Sequence, residues 1–465
     1  MGIGGRRPWR VLVLGGGFGG LYAATYLAKS FDLEPDDEVL LVDARNHFTF
    51  TPLLSEVVAG TLGREHVAVP LRGLARKNGF RFLQAHVEGL DPDAAVAYTS
   101  AGPIGYDRCI LSLGSRSRFF GNEALAEHSF PLKSLGDALA LRDRIIALSE
   151  TAAVEKDPDT RRELLTFVVA GAGPAGVETA SEIHHLFRDV LPAYYPEGLT
   201  ARVVLVEGGG RILRQFDEEL AKRGGHDLAD SGVEIRLGTR IESATDRSVR
   251  LGDGETIPAR TLIWTAGIEA HPLGSDTGFA TERDGSVLAD EFLRVDGRED
   301  VYAVGDMASV RNPRSDRPYP KVAPIAISQG VRAAANIEND RAGRPAEPYA
   351  AHHAGKIVSV GAGRALVDIL GLRLAGRPAW LIYRTAYILK MVGLRNKLQV
   401  AFTLALNRIF ERDLTTVVPA SGANGRPTAR DGSATGHDGG ATGHDDPTTV
   451  HDGSATGITS HEELV

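Results

Sequence analysis

Short, wholly apolar runs recur along this chain, and each stops abruptly at a glycine or a single carboxylate. Val11-Leu12-Val13-Leu14 stops at Gly15, and Val39-Leu40-Leu41-Val42 stops at Asp43. These read as strands over 9–14 and 39–43, around a first helix over Gly19–Ser30. A third run, Tyr106–Leu113, reads as a strand leading into a turn at Gly114. A polar helix follows, and Asp157-Pro158 breaks it. From Leu164 the pattern begins again: Phe167-Val168-Val169-Ala170 stops at Gly171, Val203–Val206 at Glu207, and Thr261–Ala266 at Gly267. A last run, Val301–Val304, ends in Gly305-Asp306. The expected fold class is therefore α/β, with two Rossmann-like dinucleotide-binding domains, one inserted in the other. The expected boundaries are 1–160 for the first part of the outer domain, 161–290 for the inserted domain and 291–370 for the return.

Both repeats carry the same fingerprint. Gly15-Gly16-Gly17-Phe18-Gly19-Gly20 and Gly171-Ala172-Gly173-Pro174-Ala175-Gly176 each read G-x-G-x-x-G between a strand and a helix. The glycines allow a tight turn and let backbone approach a pyrophosphate, which then sits on a helix N-terminus. Two such motifs, each followed by a strand ending in an acid, imply two dinucleotides side by side. The economical pair is a flavin and a nicotinamide, with hydride transfer between them. Asp43 lies further from Gly15 than the usual spacing of about 20 residues, and the polar loop 32–38 accounts for the excess. Its expected role is to accept hydrogen bonds from the adenosine ribose. Asp306 is placed to hold a ribityl hydroxyl, to cap the turn from Met307 onward, or both. Glu207 repeats the Asp43 role; a carboxylate there repels a 2′-phosphate and favours NADH, while nearby Arg211 pulls the other way. Glu178, in the first turn of the second helix, either complements the helix dipole or stands at the nicotinamide side of the crevice.

Composition narrows the classes. The 465 residues suffice for two or three domains, and 43% hydrophobic with 24% charged residues is ordinary for a globular chain. The net charge of −8 argues against nucleic acid as a general partner. No stretch reaches the roughly 20 apolar residues of a spanning helix. The first ten residues are too short and polar for a signal peptide, and Arg6 breaks the myristoylation pattern. Cys109 is the only cysteine, which excludes an intrachain disulfide, a CxxC redox pair and cysteine-based sulfide oxidation; its apolar neighbours predict core packing. Residues 371–412 hold eight Lys/Arg against one acid, Glu411, with apolar runs between them. Basic heads among apolar runs are the mark of helices lying in a membrane interface; a packed hairpin or a dimer interface is the other reading. The expected interfacial segment is 371–415. From 416 to 465 the chain is low-complexity, with the seven-residue repeat Asp431–His437, Asp438–His444, Asp445–His451, and no means of forming a core. No metal site is expected, its histidines included.

At this point the residues carry a resemblance. The first fingerprint, Asn46-His47-Phe48-Thr49-Phe50-Thr51-Pro52-Leu53-Leu54, Gly176-Val177-Glu178, Thr265-Ala266-Gly267-Ile268, Val304-Gly305-Asp306, Ala379-Trp380 and Arg395-Asn396-Lys397 resemble, in order, the type II NADH dehydrogenases. These are single-subunit, non-proton-pumping NADH:quinone oxidoreductases. The resemblance spans about 9–413. It implies FAD held by Gly15, Gly17, Phe18, Gly19, Gly20, Asp43, Ala44, Arg45, Thr51, Pro52, Leu113, Gly114, Gly305 and Asp306. It implies NADH held by Gly171, Gly173, Pro174, Gly176, Glu207, Ala266 and Gly267, with Glu178 helping to place nicotinamide and flavin for electron transfer. It further implies a quinone on the opposite flavin face, peripheral attachment to the cytoplasmic face of the cell membrane, and a homodimer as a further possibility. Two departures touch the acceptor side. Pro324 and Ser328 stand where the family has glutamines, and Glu56 where it has another. Glu56, Ala326 and Gln329 remain the candidate quinone contacts. The other readings are the same donor half with a non-quinone acceptor (a redox protein or an aromatic), or an NADH-sensing flavoprotein.

Overall fold

Val11 to Leu14 are fully buried, as strands covered on both faces by helices must be. Their strand, Arg10–Leu14, pairs in parallel with Glu38–Asp43 on one side and Arg108–Leu111 on the other. Arg81–Gln84 and Val301–Ala303 complete a five-stranded parallel sheet as its edges. The computed structural model describes residues 9–30, 37–315, 317–351, 355–361, 363–369, 371–407 and 409–415. The repeat tail and its histidines lie outside the described residues.

The second sheet repeats the first. Thr166–Ala170 pairs in parallel with Arg202–Glu207 and with Thr261–Trp264, and Glu234–Leu237 and Ser129–Pro131 form the edges. Each unit also carries a three-stranded antiparallel sheet, over 87–105 in the first and 241–258 in the second. The two crossings between the units run side by side as an antiparallel pair, Ser115–Ser117 with Ile268–Ala270, pinned by the Arg116–Glu269 ion pair at 2.7 Å. The second sheet thus draws in Ser129–Pro131, upstream of 161, and the chain leaves it before 290. The helix Leu135–Val154 starts at a capping box in which Asp137 N donates to Ser134 Oγ at 3.1 Å and Ser134 N donates to Asp137 Oδ2 at 2.7 Å.

The first helix, Phe18–Ser30, crosses Ala323–Arg341 at bare backbone: a Cβ on Gly330 would lie 2.2 Å from the Gly19 carbonyl oxygen. After it comes an antiparallel sheet, Lys356–Gly361, Arg364–Ile369 and Leu372–Gly376, then the helices Arg377–Lys390 and Leu394–Leu406. The expected boundary at 370 cuts this sheet: two strands fall in the expected return of the outer domain and the third, Leu372–Gly376, in the segment expected to be interfacial. Cys109 is fully buried within its strand, and burial pushes its thiol up, so it is inert core as expected. No described helix is long and apolar enough to cross a membrane.

Candidate active site

The two glycine loops are built by the same rules. In each, the first glycine has a left-handed backbone, φ +103° at Gly15 and +93° at Gly171, which only glycine adopts cheaply. A Cβ on the last glycine would strike the first glycine's carbonyl oxygen, at 1.9 Å for Gly20 and 1.8 Å for Gly176. The middle glycines, Gly17 and Gly173, differ: a Cβ there meets nothing within 4 Å. Protein packing therefore does not explain them, and an open cradle at the mouth of each helix fits a pyrophosphate. The acids close each loop in the same way. Gly16 N donates to Asp43 Oδ2 at 2.7 Å and Arg45 N to Oδ1 at 2.8 Å. Ala172 N donates to Glu207 Oε2 at 2.9 Å and Gly209 N to Oε1 at 2.8 Å. A hydroxyl from the third strand braces each turn. Ser112 Oγ donates to Leu14 O and Gly15 O, and Thr265 Oγ1 to Ala170 O and Gly171 O.

Between the loops lies a crevice of about 890 Å³. Of the expected site residues, Phe18, Thr51, Pro52, Pro174, Glu178 and Gly267 line it. Others stand just behind. Ala266 lies under Gly171, where a Cβ would come within 2.8 Å of its Cα. Gly114 turns the chain at φ +78° after Leu113, and Ala44 O accepts a bond from Gln84 Nε2 at 3.1 Å. Asp306 lies in the 3-10 turn Gly305–Met307, where its Oδ2 accepts from Ser115 Oγ at 2.5 Å and from Lys133 Nζ at 3.1 Å. Lys133 also lines the crevice, a cation that the motif reading missed because no local pattern marks it.

The three acceptor-side candidates sit elsewhere than expected. Gln329 is buried with its Oε1 accepting from Gly305 N at 2.8 Å, and Ala326 packs against Gly305 and Gly19. Both brace the first glycine loop and the Gly305 turn; it is Ala323, Pro324, Ile325 and Ile327 that reach the crevice. Ser328 instead bonds the Tyr349 hydroxyl at 2.7 Å. Glu56 is buried behind the wall, its two oxygens accepting from Arg384 at 2.5 and 2.6 Å.

That pair belongs to a buried polar cluster around Glu178. Glu178 Oε1 accepts from Ser359 N at 3.1 Å. Burial pushes its carboxyl up to about 8; Glu56 and Glu182 add to the rise, and the Ser359 amide and Tyr383 hydroxyl oppose it. Burial and the Glu56 charge also raise Glu182. An aromatic series links the cluster to the first loop: Phe18 meets Phe50 at 5.7 Å between centroids, Phe50 meets Tyr387 at 6.0 Å, and Tyr387 meets Tyr383 at 4.6 Å. Sequence reading gives Tyr383, Arg384 and Tyr387 no place in the site, because it counts this segment only as basic heads and apolar runs at a membrane interface. Glu182 was legible as one turn beyond Glu178 on the same helix.

The crevice runs on to the C-terminal helices, where Tyr387, Lys390, Met391 and Lys397 line it. Of the basic residues counted there, Arg384 and Arg412 turn inward and Arg373 pairs with Asp217 at 2.8 Å, so the outward charge is smaller than the sequence sum. Eight of the fourteen exposed large apolar side chains among the described residues lie between 372 and 410. Leu394, Leu398 and Phe402 share one helix face at 62–70% exposure.

Residues 9–330 match the pyridine nucleotide-disulphide oxidoreductase family. The chain is 31% identical to the type II NADH:quinone oxidoreductase Ndh of Mycobacterium tuberculosis, covering 84% of this chain and 86% of that one. It is 29% identical to a probable NADH dehydrogenase of Dictyostelium discoideum, covering 88% and 91%. In fold it is similar to NDH2 from Plasmodium falciparum, solved in complex with NADH. The TM-score is 0.81 at 16% identity, over 88% of this chain and 100% of that one. With two intact nucleotide loops, and a single cysteine that leaves no redox disulfide, the chain belongs to the pyridine nucleotide-disulphide oxidoreductases and, among them, to the type II NADH:quinone oxidoreductases.

Proposed function

We infer that the protein is an FAD-dependent NADH:quinone oxidoreductase attached peripherally to a membrane. The observation that carries this is one continuous crevice onto which both nucleotide loops open and which runs on to a basic, apolar C-terminal rim. Bound FAD supplies the relay between the nicotinamide hydride and the quinone. The protein's part is position and electrostatics. The Gly15–Gly20 loop and the start of the helix Phe18–Ser30 take the flavin pyrophosphate. Asp43 holds the ribose, and Asp306, paired with Lys133, holds the ribityl chain. The Gly171–Gly176 loop takes NADH, and Glu178 sits where nicotinamide and flavin meet. The quinone enters from the rim, past Tyr387 and the Pro324–Ile327 edge. The face bearing Leu394, Leu398 and Phe402 rests on the cytoplasmic side of the cell membrane; self-association through that face to a homodimer is the competing use.

The test is an acceptor panel under steady NADH with and without anionic vesicles. Reduction of a short-chain quinone, raised by vesicles, is expected. Slow quinone reduction beside fast reduction of a small redox protein would overturn the reading.

Glu207 sets the preference for NADH. Arg211, its sequence rival, donates to Phe216 O at 3.3 Å and Arg214 O at 3.0 Å and is committed to its own loop. Glu207→Ala removes a charged acceptor for the ribose hydroxyls, a loss of about 1.5–3 kcal/mol. The KM for NADH should rise at least tenfold, by that measure, and the NADH/NADPH gap should narrow, with the flavin spectrum unchanged. A wild type that uses both nucleotides equally would refute the assignment.

A further inference from the structure

Four non-glycine residues among those described take a positive φ: Ala95, Phe120, Leu213 and Leu293. That backbone costs free energy, most where the side chain is bulky. Leu213 and Leu293 are fully buried, so core packing offsets the cost, and Ala95 carries only a methyl. Phe120 is different. At φ +54° it holds a large ring that is 63% exposed. Gly121 follows at φ +78°, and Asn122 N donates to Phe119 O at 3.0 Å. Both central residues of this turn are therefore left-handed, the geometry that asparagine-glycine fills best. Turn chemistry and solvent exposure both favour asparagine at 120, and the chain has phenylalanine.

The ring is held in one place. Beneath the turn, Phe119 packs on Trp264 at 5.5 Å between centroids, and Trp264 Nε1 donates to Arg118 O at 2.9 Å. Arg118 N donates to Gly267 O at 3.1 Å, and the Arg118 guanidinium lies 5.0 Å from the Phe120 ring centroid. The ring edge stands over Gly267: a Cβ there would lie 3.1 Å from Phe120 Cζ. Trp264 and Gly267 both line the crevice, so Phe120 stands at its rim.

Sheet order says which part of NADH passes this rim. Thr166–Ala170 lies between Arg202–Glu207 on one side and Thr261–Trp264 on the other. The loop after Thr166–Ala170 takes the pyrophosphate. Glu207 ends the first neighbour and takes the adenosine ribose. The nicotinamide half therefore leaves across the second neighbour, over Ala266 and Gly267, toward Glu178.

We propose that Phe120 is a positioning residue for NADH, covering the nicotinamide nucleoside where it passes Gly267, with Arg118 fixing the ring. This rests on the assignment of NADH to the Gly171–Gly176 loop. The cover shields that end of the nucleotide from water and limits its swing across the crevice. The contact that offsets the strained turn forms only in the complex, which is why the free protein shows the strain without the packing.

Phe120→Asn separates this role from a structural one. Asparagine-glycine suits the turn, so the thermal midpoint of the flavin-loaded protein should hold or rise. In anaerobic stopped flow, flavin reduction should need about fivefold more NADH to reach half its limiting rate. Equilibrium titration with NAD⁺ should show the same weakening without any turnover. ADP, which lacks the nicotinamide nucleoside, should bind wild type and variant equally. Phe120→Tyr keeps the ring and should match wild type in all four measurements. In the wild type, ADP that binds without competing with NADH would sink the assignment of the nucleotide loop on which the proposal rests. Given that competition, the role of Phe120 is overturned if NADH and NAD⁺ bind Phe120→Asn as tightly as wild type. It is overturned equally if ADP weakens along with them, since the ring would then only prop the nucleotide domain.

Discussion

Gly17→Val should give a soluble, folded protein that purifies without flavin absorbance. The substitution is unusually clean. Gly17 has no left-handed backbone to protect, and a Cβ there touches nothing within 4 Å. The fold therefore has no reason to reject valine, while a branched side chain fills the space through which the pyrophosphate must approach backbone amides. The neighbouring control fails in the opposite way. Gly20→Ala sets a methyl 1.9 Å from the Gly15 carbonyl oxygen and should unfold the loop itself. Full flavin occupancy in Gly17→Val would remove FAD from this site.

Replacing Leu381, Leu394, Leu398 and Phe402 together by serine should abolish vesicle binding. All four are 62–70% exposed and hold no part of the core. At about 1 kcal/mol for each partly inserted side chain, below the 1.5–3 of full burial, the loss is about 4 kcal/mol, or several hundredfold. Arg377, Lys390, Arg395 and Lys397 add about 1 kcal/mol each near an anionic surface, a part that salt screens. Ferricyanide reduction should stay near wild type while quinone reduction in vesicles falls. Truncation before 376 would be a poorer test of the same face. It would strip Tyr383 and Arg384 from the interior and leave Glu56 buried without its counter-ion, a loss of several kcal/mol. Undiminished binding of the quadruple variant to anionic vesicles at low salt would turn the helices into a dimer face, and the oligomeric state of the same variant would then change.

The Glu56–Arg384 pair shows where sequence reading stops. Its partners lie 328 residues apart. Seen along the chain, Arg384 is one more cation in a basic segment and Glu56 an odd residue at a glutamine position. Only the tertiary placement of the helix Arg377–Lys390, seated on the sheet over 356–376, brings Arg384 to Glu56 and converts a surface-charge argument into a buried one. Arg412 and His185, 227 residues apart, repeat the case.

What the sequence by itself determined is the doubled nucleotide unit: its strands, its two loops and the acids that close them. Those features obey local rules. A φ of +103° at Gly15 needs glycine, an apolar run of four needs burial on both faces, and a carboxylate at a strand end meets the amide of the adjacent loop. All of this is settled within one βαβ unit. Tertiary structure alone decided which carboxylates and guanidinia are buried together, that Ala326 and Gln329 brace Gly19 and Gly305 while Pro324 lines the crevice, and that three short strands over 356–376 form a sheet of their own. A helix leaves open which of its faces is covered, and a charge is tolerated inside only when a partner from elsewhere in the chain arrives to meet it.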